Sequence, residues 1–119
     1  MTAQQIEAAE PVVARPERTP AALRIALAQV APHRLPEMEQ QKDEAIALAA
    51  RTRSLGPINQ FLESWAVAIE IARTPALAAR LRAAVYTARS VHRDDPAWRE
   101  AMDEIHALQI WARDSIAPI

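Results

Sequence analysis

GPINQFLESWAVAIEIARTP, Gly56–Pro75, is the stretch from which the rest of the chain is read. Ile58, Phe61, Leu62, Trp65, Ala68, Ile69 and Ala72 recur three and four residues apart, which is the period of one helical face. Asn59, Glu63, Glu70 and Arg73 fall on another face and predict a polar exterior there. Val67 and Ile71 widen the apolar arc beyond a single stripe. A helix over Pro57–Arg73 with neighbours on more than one side, hence central, is expected.

The punctuation on either side of it sets the rest. Nine prolines stand against one glycine, and proline, which fixes φ and lacks an N–H, is tolerated in the first helical turn but not inside a helix. Thr19-Pro20, Thr74-Pro75 and Asp95-Pro96 each place a side-chain oxygen at an N-cap and proline at the first helical position. Gly56-Pro57 is a variant, with Gly56 closing the preceding helix in a left-handed conformation. Further helices are expected at Pro20–Ala31, Pro36–Arg53, Pro75–His92 and Pro96–Ile116. In the second of these, Glu37, Glu39, Asp43 and Glu44 lead and Arg51 and Arg53 follow, an order that suits the helix dipole.

Composition agrees. The 119 residues suit one domain, and half are apolar while 24% are charged, which is a globular balance. Alanine dominates the apolar set, and β-branched runs are almost absent, leaving strands little to build on. The expected fold is all-α: one domain over residues 19–119, a bundle of about five helices. Residues 1–18, which hold Pro11 and Pro16 and lead to a third proline at Pro20, are expected as an extended, mobile tail with a marginal helical stretch at Thr2–Glu10.

The segments RTPAALR (Arg18–Arg24) and RTPALAAR (Arg73–Arg80) look like a repeat. The caps at Thr19, Gly56, Thr74 and Asp95 are unequally spaced, however, and no constant period fits them. The likeness is one way of starting a helix, used twice.

Several function classes lose support. A net charge of −1 provides no global cationic field for nucleic acid, and the absence of cysteine removes disulfides, thiol nucleophiles and cysteine zinc sites. The N-terminus does not read as a secretory signal, and no apolar run is long enough to span a membrane, so a cytoplasmic location is expected. There is no Gly-rich phosphate loop and no nucleophile elbow. Asp103 and His106 form one half of a carboxylate-bridged metal motif without a second copy. No catalytic, cofactor or metal residues are assigned, and enzymatic activity is not expected.

What remains are surfaces. From Thr74 to Arg93 the chain carries Arg80, Arg82, Arg89 and Arg93 and no acid. Arg82, Tyr86, Arg89 and Arg93 follow 4, 3, 4 spacing and share a face suited to phosphates or an acidic partner. The competing reading is charge matching within the chain, since the last helix and its approach hold Asp94, Asp95, Glu100, Asp103, Glu104 and Asp114. Trp65 and Trp98 lie on apolar stripes and are expected in the core. Trp111 lies off its stripe and, with Ile110 and Ile116, is either an exposed apolar patch for another chain or the end of the last helix wrapped onto the first. Residues around Gly56 admit a helix-turn-helix and thus a DNA-binding regulator, but its recognition helix would offer Asn59, Gln60, Glu63 and Ser64 and no cation before Arg73.

Leu35-Pro36-Glu37, an acidic helix, Leu55-x-Pro57, Phe61-Leu62-x-x-Trp65 and the helix begun by Pro75 occur in an order that resembles an uncharacterised family of small bacterial helical proteins found with toxin–antitoxin gene pairs. The likeness covers under half of the chain and carries no catalytic signature. It implies a helical antitoxin that covers the active surface of a small toxin; homodimerisation without another partner is the structural alternative.

Overall fold

The computed structural model of the chain describes residues 10–117. The Thr2–Glu10 stretch lies, but for Glu10, outside them, as does the first half of the expected tail. Five α-helices follow: α1 Pro20–Val30, α2 Leu35–Thr52, α3 Gly56–Ala72, α4 Pro75–Ser90 and α5 Pro96–Ile116, with a short 3-10 turn at Pro32–Arg34 between the first two. Each expected helix is present with its ends shifted by no more than two residues.

Proline stands in the first turn of every one of them, but the caps differ in chemistry. The Thr19 hydroxyl accepts from the Ala22 N–H at 3.2 Å, and the Asp95 carboxylate from the Ala97 N–H at 2.8 Å. Thr74 occupies the N-cap position of α4 yet makes no side-chain cap bond; its side chain is buried, and its carbonyl accepts from Ala78. Thr74 is therefore a packed residue, not the twin of Thr19. The expectation at Gly56 also changes. Arg53, at φ 53° and ψ 43°, takes the left-handed position that ends α2, while Gly56 is the first residue of α3 and its N–H donates to the Ser54 hydroxyl at 3.1 Å. Ser54 supplies a local acceptor there, so α3 starts without a left-handed glycine.

α3 is the hub and packs against all four other helices. One arc of it, Phe61, Trp65 and Ile69, is buried with Leu23, Ala26 and Leu27 of α1, with Ala31 just past the end of α1, and with Met38 of α2. A second arc, Val67 and Ile71, is buried with Leu77 of α4 and Leu108 and Ala112 of α5. Two small cores thus share one helix, as the two-sided apolar pattern requires. Burying Leu23, Leu27, Ile69, Leu77 and Leu108, each 0–1% exposed, supplies about 1.5–3 kcal/mol per side chain.

Ion pairs tie the helices at the rim: Arg24 to Glu39 (α1–α2, 3.1 Å), Arg113 to Glu63 (α5–α3, 3.0 Å) and Arg80 to Glu104 (α4–α5, 2.9 Å). Their solvent exposure limits each to about 0.2–1 kcal/mol. No helix among the described residues is long and apolar enough to cross a membrane.

Candidate functional site

α4 is fixed by Leu77 and Ala84, which are buried, and by Leu81, packed against the core that α3 and α5 share. With that side inward, Arg82, Tyr86 and Arg89 point to solvent, Tyr86 with 74% of its surface exposed. Arg93, just beyond the helix, is exposed too, and its guanidinium stands over the Trp98 ring at 5.4 Å from the centroid. Trp98 is correspondingly half-buried, a lid on the start of α5 more than a core residue.

Charge matching within the chain takes up only one arginine of this helix. Arg80 Nη2 lies 2.9 Å from Glu104 Oε1, a charge contact whose angle misses hydrogen-bond geometry. Arg82, Arg89 and Arg93 make no ion pair among the described residues. Tyr86, with 74% of its surface in water between two guanidiniums that make no ion pair among the described residues, contributes little to the packing of this fold. It does offer a hydroxyl, a ring and two solvent-facing cations to another surface, and tyrosine and arginine are residue types that concentrate binding energy at interfaces.

The apolar trio is not one patch. Ile110 is 56% exposed, whereas Trp111 and Ile116 are half-buried against the core of Val67, Ile71, Leu77 and Leu108. The Ile116 carbonyl, left open at the end of α5, accepts from Arg18 at 3.2 Å. The end of α5 thus packs on α3 and α4 and not, as expected, on the first helix, and of the three only Ile110 is exposed.

The helix that would enter DNA is the hub of the molecule. Phe61, Trp65, Val67, Ile69 and Ile71 of α3 are buried, Glu63 is paired with Arg113, and Asn59, Gln60 and Ser64 are exposed only along its first turns. No group of three His, Asp or Glu side chains among the described residues is placed to hold a metal ion.

One residue assigned to the polar exterior is at the centre of an anchor. Glu70 is 1% exposed. Arg15 Nε donates to its Oε2 at 2.8 Å and Arg73 Nε to its Oε1 at 2.7 Å, while Arg73 Nη1 donates to the Val13 carbonyl at 2.9 Å and the Val12 N–H to the Arg73 carbonyl at 2.8 Å. Residues 10–18, expected as part of a mobile tail outside the helical domain, are instead bent at Val12–Val13 and tied across the end of α3 by these bonds. Burial pushes the Glu70 carboxyl up, but the bonds from Arg15 and Arg73 and their charges outweigh it and hold its pKa below the usual value. Nothing local in the sequence marks this: Glu70 and Arg15 are 55 residues apart, and the only hint is an acid beside the wide apolar arc of α3.

No family model matches the chain, and no curated protein or solved structure matches it.

Proposed function

We propose that the chain is a non-enzymatic, protein-binding helical module, and that its contact surface is the outer face of α4 formed by Arg82, Tyr86 and Arg89, with Arg93 at its edge. The observation that carries this is Tyr86, 74% exposed between cations with no partner among the described residues. Such residues are dispensable to the fold and matched in chemistry to an acidic partner. The order of motifs from Leu35 to Pro75 supports the narrower reading of an antitoxin, whose partner is a small toxin.

Co-purification from the native host tests it. The native chain should retain a protein that the triple variant Arg82→Ala/Tyr86→Ala/Arg89→Ala loses. Recovery of the same proteins by both, or of none by either, would overturn the proposal. For the antitoxin reading, the retained protein should arrest growth when expressed alone and cease to do so with the native chain present.

A further inference from the structure

The outer face of α4 has a seven-residue order as well as a charge. Ala79, Ala83, Tyr86 and Ser90 follow 4, 3, 4 along one exposed line, and Arg82 and Arg89, seven residues apart, stand exposed on one flank of it. This is the layout by which one helix pairs with another: a seam at heptad positions a and d, bordered by charges at e or g. The opposite flank, Arg80 and Thr87, is turned into the groove shared with α5, where Arg80 meets Glu104. α4 itself holds no acid, and among the described residues Arg82 and Arg89 meet none from elsewhere in the chain. Around Tyr86 the seam is shallow, made of two alanines and a serine whose hydroxyl is turned back to donate to the Tyr86 carbonyl at 2.7 Å.

We propose that this face receives a single acidic α-helix of another protein, whose acids repeat every seven residues against Arg82 and Arg89. The inference rests on the reading of the α4 face as a protein contact and names the form and charge of what covers it. Charge sets the sign, because two guanidiniums left without acids on one flank are complemented by carboxylates. Spacing sets the form. Arg82 and Arg89 are about 10.5 Å apart along the axis, which is again seven residues of a helix laid alongside. Same-face residues of a strand recur about every 6.6 Å and match that distance at neither one step nor two. The alanines let the two axes approach to about 8 Å, so the partner sets bulky apolar residues over Ala79 and Ala83 and a small one over Tyr86. A nucleic-acid strand fits less well, because the cationic strip is one helix wide and Glu100 and Glu104 line the groove beside it. From Ala79 to Ser90 the seam runs about 16 Å, under two full heptads, so this contact alone is weak and sensitive to salt.

Titration of the full chain into a trace of labelled peptide at low salt, followed by fluorescence anisotropy, tests this. The probe is about three heptads long, with Leu at a and d and Glu at every e and g, which offers acids in either orientation and keeps the peptide from pairing with itself. A control peptide of the same composition carries its glutamates at b and c. The native chain should bind the probe at least about tenfold more tightly than the control, and Arg82→Glu/Arg89→Glu should lose that margin. The same variant should instead prefer a peptide with Lys at e and g, which the native chain rejects. Both arginines are exposed, and matched helical circular dichroism confirms that the variant folds; if it does not, Arg82→Gln/Arg89→Gln should still weaken binding of the probe. No binding at about millimolar chain, equal binding of probe and control, or a reversal without effect would each overturn the inference. Single-stranded DNA of similar charge that binds more tightly than the probe, or a native chain that pairs with itself through these arginines, would overturn it by naming another occupant. If the probe fails while Arg82→Ala/Tyr86→Ala/Arg89→Ala still loses a co-purified protein, the acidic helix is wrong and the α4 contact face stands.

Discussion

Glu70 is the residue whose environment departs furthest from its place in the sequence pattern. Its carboxylate is held by Arg15 and Arg73, and truncating one member of such a buried set strands the others. Glu70→Gln should cost about 3 kcal/mol at pH 7 in a urea titration. The pH dependence follows from the depressed pKa: the stabilisation is present in full above the unfolded value of about 4.5 and is lost as pH falls through the lower folded value. The gap between native chain and variant should therefore shrink below pH 4.5, and a gap that stays constant to pH 3 would contradict the assignment. At Thr19, loss of the cap bond in Thr19→Ala should lower stability by about 1 kcal/mol, seen as a lower melting temperature.

Among the elements, helix starts were the most legible part of the sequence, because proline acts through its own φ and missing N–H and needs no distant partner. Helix ends and joints were less so. Arg53, not Gly56, sits in the left-handed region, since the choice depended on how α2 and α3 meet around Ser54. Arg53→Gly should raise stability by about 0.5–1 kcal/mol by relieving that conformation, measured as a higher urea midpoint at unchanged slope. The common exposure of Arg82, Tyr86, Arg89 and Arg93 was legible because their spacing is local and, among the described residues, none of the three arginines is drawn into an ion pair. The choice between the two readings of Trp111 was not, since only the packing of α5 on α3 and α4 separates Trp111 and Ile116 from Ile110. Glu70 was hidden for the same reason: its partner Arg15 comes from a segment far away in sequence.

At the scale of the whole molecule, both cores run through α3, so neither half can lose its packing without exposing part of the other. Leu27→Ala, in the core of α1–α3, and Leu108→Ala, in the core of α3–α5, should each cost about 2–5 kcal/mol and lower the same single unfolding transition. Two transitions moved separately by the two variants would mean that the cores are independent. Against this shared core, the outer face of α4 stands apart as a surface that the fold does not use, and the functional reading depends on that separation. The free energy of unfolding of Arg82→Ala/Tyr86→Ala/Arg89→Ala, measured in a urea titration, tests it most directly. A value within about 0.5 kcal/mol of the native chain is expected for a surface kept for a partner, whereas a loss of about 2 kcal/mol or more would make these residues part of the fold.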